Sequence, residues 1–349
     1  MKFDFCIGNP PYNEDFEKSG DNGNFAKPVY NIFMDEVFKI ADKVELVHPA
    51  RFLFNAGSTP KDWNEKMLND PHFKVLEYEA NSTKLFANAD IKGGIAVTYR
   101  DSRKEFGEIG TFTAFPELNG INRRVNKERD ERKLINIMYN QVNFDLDVLL
   151  TEHPEFISGI GSEGKDRRLE KNIFDKIPLF TEKKVHDDDV KILGVIKIKR
   201  QWRFIPRKYI DMSHENVNKF KVLVPRSNGS GAIGEVLSTP IVGEPIVGEP
   251  IVGYTRTFLG IGAFDTRNEA DNCLKYVKSK FARTMLGILK ITQDNPIDTW
   301  RLVPLQDFTP QSDIDWTKSI SEIDRQLYKK YKLSPEEIQF IETHVKEMA

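Results

Sequence analysis

Residues 3–12, Phe-Asp-Phe-Cys-Ile-Gly-Asn-Pro-Pro-Tyr, constrain the fold of this chain more than any other stretch. Phe3 to Gly8 reads as a short apolar strand. Pro10 and Pro11 then fix two φ angles and withhold two backbone donors, so the chain leaves the sheet edge and is locked as it leaves. Such a turn has two readings. It is either a Pro-rich surface corner whose Asn9 and Tyr12 satisfy local backbone groups, or a site that presents an amide, a carbonyl and a π-face from a rigid support.

Asn-Pro-Pro-Tyr directly after Phe-Asp-Phe-Cys-Ile-Gly resembles the catalytic motif of adenine-specific (N6) DNA methyltransferases of restriction–modification systems. The resemblance implies a base-flipping site whose methyl donor is S-adenosyl-L-methionine. The chemistry accounts for the residue types. The exocyclic amine of adenine is a poor nucleophile because its lone pair is delocalised into the ring. A site that methylates it must accept hydrogen bonds from the amine and stabilise charge as the methyl arrives. The Asn9 amide oxygen and the Pro10 carbonyl are suitable acceptors, and the prolines offer no competing N–H. Tyr12 offers a stacking face for a base taken out of the duplex.

Composition bounds the rest. At 349 residues the chain has room for two or three domains. With 39% hydrophobic and 30% charged residues it has the composition of a soluble protein, and no apolar run approaches a membrane span. Cys6 and Cys273 lie far apart without CxxC spacing, which suggests a reducing cytoplasm and no zinc site. The formal charge is −2, so DNA affinity has to come from local clustering of cations.

Residues 13–27 are polar and Gly-rich, a mobile loop beside the turn. Helical periodicity over Val29–Ala41 puts Tyr30, Phe33, Val37, Ile40 and Ala41 on one face. Strands are expected at Val44–Val47, closed by His48-Pro49, at Phe73–Glu79 and at Gly93–Arg100, with a helix at Trp63–Leu68. The alternation implies a parallel α/β sheet. This order is again similar to the family, where the turn is followed by a helix, a strand ending in proline, and a hairpin entered by an aromatic residue. Phe86 matches that aromatic, as the second wall of the adenine pocket or as an ordinary core phenylalanine.

From Phe112 to Pro116 the chain reads as a linker, and the mixed charges of Arg123–Lys133 suit a solvated helix. Lys191–Arg226 holds ten cations against two acids, an excess of eight in a chain whose total is −2. Lys199, Arg200, Trp202, Arg203, Arg207 and Lys208 interleave cations with aromatics, a pattern that suits phosphates and bases. Arg226 and Asn228, in a loop after an apolar strand, have the chemistry to read guanine and adenine edges. The bland alternatives are a solvated strand paired with Asp187–Asp189 and a Gly-Ser loop without a role. This region resembles a target-recognition domain.

A five-residue repeat, Ile-Val-Gly-Glu-Pro, runs through residues 241–255. Recurrent proline and an odd period suit a loop better than a strand. Phe258-Leu259-Gly260-Ile261-Gly262 fits the family's cofactor-loop pattern, but no strand with a terminal acid follows at the spacing a ribose contact needs. A recognition-domain strand followed by a helix over Glu269–Phe281 is preferred. Ser334, Pro335 and Glu337 mark a helix start.

The expected fold class is therefore α/β: a partial Rossmann-like methyltransferase domain over 1–115, a mixed α/β target-recognition domain over 116–300, and a helical segment over 301–349. In the family the glycine-rich cofactor loop and the ribose-binding acid precede the catalytic turn, and only eight residues precede Asn9. The resemblance thus implies the carboxy-terminal part of such an enzyme, binding S-adenosylmethionine weakly or not at all alone. The implied partners are double-stranded DNA and an amino-terminal portion or a separate cofactor-binding or restriction subunit, with no membrane. A DNA specificity module, or a methyltransferase of an RNA base or a protein glutamine, is the alternative.

Overall fold

The structure, a computed structural model, describes residues 3–13, 27–55, 58–86, 91, 93–126, 132–227, 244–290 and 294–348. The chain divides into two compact units, residues 1–119 and 120–349. Most of the expected loop at 13–27, and Asn228, lie outside the described residues.

In the first unit, β1 (Phe3–Gly8), α1 (Tyr30–Ile40), β2 (Ala41–Pro49), α2 (Lys61–Leu68), β3 (Phe73–Glu79) and β4 (Ile95–Asp101) follow in order. The sheet runs β1-β2-β4-β3. Only β1 and β2 are parallel, and β4 is antiparallel to both of its neighbours. The sheet is therefore mixed, not parallel as the alternation of elements implied. The reason is the connection. A parallel return needs a crossover of a dozen residues or more, usually helical, which α1 supplies between β1 and β2. Between β3 and β4 the described chain makes only a single 3₁₀ turn at Ser82–Lys84, and the strand returns antiparallel.

Helix α1 is rotated relative to its sequence reading. Tyr30, Met34 and Val37 face the core, while Ile32, Phe33 and Ile40 are exposed. Apolar residues on two sides of the helix satisfied more than one phase of the 3.6-residue period, and packing against β2 chose between them. Phe112 is also not linker. It is buried in the core of this unit, edge-on to Phe54 and Tyr78 at 5.3 and 5.6 Å.

The unit boundary falls within α3 (Pro116–Val125). After it come β5 (Met138–Tyr139), α4 (Leu146–Glu152), the single turns α5 (Gly161–Gly164) and α6 (Ile173–Lys176), β6 (Val190–Ile196), β7 (Lys199–Ile205) and β8 (Phe220–Pro225). Then follow β9 (Ile246–Gly248), β10 (Val252–Tyr254), β11 (Phe258–Phe264), α7 (Arg267–Lys278), α8 (Lys280–Gly287), α9 (Ile320–Lys330) and α10 (Pro335–His344). Two sheets result, β10-β6-β7 and β5-β11-β8-β9.

The repeat is not absorbed in a loop. Its second copy forms β9, antiparallel to β8, and its third forms β10, parallel to β6, in the other sheet. Pro250 and Ile251, the latter at φ 62°, end one pairing and redirect the chain to the next. The odd period then matters as side-chain alternation requires: Val252 is buried where its counterpart Val247 is only half-buried. At the carboxy end the capping box of Ser334 and Glu337 starts α10 with Pro335 in the first turn. No helix among the described residues is long and apolar enough to cross a membrane.

Candidate functional site

Strand register gathers the candidate residues of the first unit at one edge of its sheet. Gly8 at the end of β1 pairs with Leu46 near the end of β2, so Asn9–Tyr12 and Pro49–Arg51 leave the sheet on the same side. Ile95, at the start of the antiparallel β4, pairs with both Pro49 and Glu79. The connection from β3 to β4, with Phe86 in it, therefore opens on that edge too. A crevice outside the carboxyl ends of parallel strands is where open α/β sheets bind ligands.

The turn is held by its backbone. Val29 N–H donates to the Tyr12 carbonyl at 3.0 Å, and Asn13 bridges to Pro28. Pro10 is buried, whereas Asn9 is exposed and Tyr12 is half-buried. The support thus sits inside while the Asn9 amide faces outward. The Tyr12 hydroxyl is shielded from solvent, and its pKa is raised by burial. The Asn9 side chain opposes that shift without completing a well-formed hydrogen bond to the hydroxyl. A buried hydroxyl with no hydrogen-bond partner among the described residues, beside an exposed amide, suits a site that receives a third group.

The neighbouring loops are equally constrained. Ala50 N–H donates to the Gly94 carbonyl at 3.0 Å. Gly94 has φ 78°, and a Cβ there would lie 2.5 Å from the Glu79 carbonyl oxygen, so only glycine fits. Phe86 is half-buried, its N–H bonded to the Ser82 carbonyl at 2.9 Å.

Beneath this edge lies an aromatic cluster. His48 is buried and stacks on Tyr30 at 5.8 Å with an interplanar angle of 2°. Its Nε2 lies 2.7 Å from Thr98 Oγ1 and its Nδ1 3.1 Å from the Pro49 carbonyl. Burial lowers its pKa to about 4 despite the Pro49 contact, so the ring is neutral near pH 7. The unfolded chain takes up a proton near pH 6.5 and the folded chain only near 4, so this contribution is present above 6.5 and lost as pH falls through 4. We expect the unfolding free energy from urea titrations to fall by up to about 3 kcal/mol more for wild-type protein than for His48→Gln between pH 7 and pH 4. Parallel curves for the two proteins would contradict this.

The basic residues of the second unit separate into two groups. Arg203 is paired with Glu182 at 3.1 Å and Lys208 with Glu152 at 2.5 Å. Trp202 packs half-buried on the core with Lys191 Nζ 4.4 Å above its ring, so it is not a free stacking platform. Arg207 is half-buried in the turn after β7. By contrast Arg200 and Arg226 line one open groove of about 860 Å³. Arg200 lies 5.6 Å over the Phe258 ring, and Arg226 Nε is 3.6 Å from Asp294. Lys199 is exposed beside the groove. Arg256 and Ile198 also line it, and neither drew attention in the sequence. Arg256 follows the repeat as an isolated cation, and the hairpin that carries Ile198 lacks the usual Asn-Gly turn signal.

Phe258–Gly262 is no loop. It forms most of β11, with residues 258–262 buried in mid-sheet. A Cβ on Gly260 would lie 2.3 Å from Tyr254 Oη and 2.5 Å from Asn216 Nδ2. Gly262 has φ 83° at a register shift between Ile261 and Phe264. Both glycines are explained by packing and strand geometry, and the segment does not fit a cofactor loop.

An uncharacterized adenine-specific methylase of Mycoplasma pneumoniae is 31% identical over 96 residues, 27% of this chain. The chain spans only 22% of that relative's length. The type IIG restriction endonuclease BpuSI aligns over 93% of this chain and 48% of its own, at 11% identity and a TM-score of 0.35. Over residues 1–86, the stretch that holds the Asn9–Tyr12 turn, this chain matches the Eco57I restriction-modification methylase family.

Proposed function

We propose that the chain methylates adenine N6 in DNA, with Asn9 to Tyr12 holding the acceptor base. The observation that carries this is the turn itself: an exposed Asn9 amide next to the buried Pro10 and the orphaned Tyr12 hydroxyl, on a sheet edge within the matched segment. The Asn9 side-chain oxygen and the Pro10 carbonyl accept the two N6 hydrogens. That draws the nitrogen lone pair out of the ring and stabilises the positive charge that develops on the amine. Tyr12 supplies one stacking face for a flipped base and Phe86 the other. S-adenosylmethionine is the methyl donor implied by the family, and no residue of this chain is assigned to hold it.

One observation favours further structure against β1 in the working enzyme, from the same polypeptide or from another. Phe3, Phe5 and Ile7 are 52%, 45% and 71% exposed along β1, which pairs with β2 alone among the described residues. Residues two apart share one face of a strand, so a layer packed on that face would cover these side chains, and a strand added at the free edge of β1 would complete its hydrogen bonding. That further structure is where we place the cofactor-binding residues.

The substrate class is tested in cells that make the protein, so that any partner is present. We expect N6-methyladenine in their DNA, and transfer of labelled methyl groups from a lysate of them to unmethylated duplex DNA but not to RNA or protein. Label in RNA or in protein glutamine would assign the turn to a different planar amine.

A further inference from the structure

The tip of the β6–β7 hairpin combines strain with exposure. Ile196 pairs with Lys199, so Lys197 and Ile198 alone make the turn. Both adopt left-handed backbone conformations, at φ 46° and 69°. A two-residue turn of this kind needs positive φ at both positions and is normally built from Asn and Gly. A β-branched residue there is an outlier. Ile198 gains nothing from the protein in return, since its side chain is 98% exposed. An exposed apolar side chain alone needs no explanation, but a β-branched residue held at strained φ is a pointer to function.

What surrounds Ile198 indicates that function. Lys197 and Lys199 flank it, both exposed, and neither joins an ion pair among the described residues. The groove it borders is lined by Lys171, Arg200, Arg226 and Arg256 against two acids, Glu170 and Asp294. Glu170 is already engaged by Arg256 at 3.0 Å and Arg168 at 3.5 Å. The remaining charge is positive, and the rim carries an exposed Ile198 between two lysines. This complements a polyanion with separable apolar layers, and duplex DNA is the occupant we commit to.

We propose that Ile198 is a wedge that enters a base step of duplex DNA, with Lys197 and Lys199 on the flanking phosphates. The hairpin's two hydrogen-bonded strands hold the wedge rigid, and the left-handed turn aims it away from the sheet. Entry separates two stacked base pairs and bends the duplex into the Arg-lined groove. This inference rests on DNA being the substrate, and its test separates the two.

The full 349-residue chain is titrated at low salt against a fluorescent duplex of mixed sequence and against the same duplex with a central one-nucleotide gap. The gap pays the unstacking cost in advance. We expect wild-type protein to bind the gapped duplex at least tenfold more tightly. In Ile198→Ala the preference should fall to within twofold, while Ile198→Phe retains it. Because Ile198 is 98% exposed, the melting temperature of either variant should not fall, and that of Ile198→Gly should rise as the left-handed strain is relieved. Equal gap preference in wild type and Ile198→Ala overturns the wedge and leaves DNA binding standing. Failure of wild-type protein to bind any duplex overturns the DNA reading as well. Tighter binding to double-stranded RNA than to DNA overturns the choice of occupant.

Discussion

Asn9→Ala is expected to lower methyl transfer to DNA by on the order of 100- to 1,000-fold, the usual cost of removing one group aimed at developing charge. Duplex affinity should stay within twofold. The split follows from position. Asn9 is exposed at the end of β1, so its truncation leaves no cavity and orphans no buried group. The cations of the groove proposed to meet DNA lie in the second unit and are untouched. Asn9→Asp keeps an acceptor oxygen and should retain measurable transfer where alanine does not. The measurement is the rate of label incorporation into unmethylated duplex, alongside fluorescence anisotropy for binding. Equal loss of transfer and of binding would remove Asn9 from the catalytic role and make the turn a structural corner.

Gly260→Ala is expected to unfold the second unit at a temperature roughly 5–10 °C lower, without any effect specific to the methyl donor. The added methyl would sit 2.3 Å from Tyr254 Oη and 2.5 Å from Asn216 Nδ2, in the middle of a buried strand. Those two groups are bonded to each other at 3.2 Å, so neither can swing away without breaking a buried pair. Overpacking of this kind costs about 1–3 kcal/mol, and a unit of this size loses about 2–4 °C per kcal/mol. The result discriminates between two meanings of the same five residues. A glycine that lets a cofactor approach the backbone would leave the melting temperature alone and abolish donor binding. A glycine that lets two side chains meet behind a strand does the reverse.

The same contrast recurs along the chain. The capping box at Ser334 and the turn at Asn9–Tyr12 were legible because both are local chemistry. A hydroxyl three residues before a carboxylate, or two prolines in succession, act on the backbone next to them whatever the rest of the protein does. The strand at Phe73–Glu79 was legible for a similar reason, as a short β-prone run bounded by turn residues. Direction was not. Whether β4 ran with β2 or against it depended on the connection from β3, whose described residues make no crossover helix, and no property of β4 records that.

Assembly likewise decided which cations are free. In the sequence Arg203 and Lys208 look as available as Arg200. Folding brings Glu182 and Glu152 to the first two, from 21 and 56 residues away, and brings Arg226 and Arg256 to the third. The strained, exposed turn at Ile198 was invisible for the same reason, since Lys-Ile is not a turn signal until the register of β6 on β7 forces it to be one. The local form of the Asn9 turn was therefore set by the amino acids alone, because an amide beside two prolines is held rigid by its own neighbours. Strand direction, the fate of each repeat copy and the composition of the Arg-lined groove were decided only in the tertiary structure, because each depends on residues far apart in sequence meeting in space.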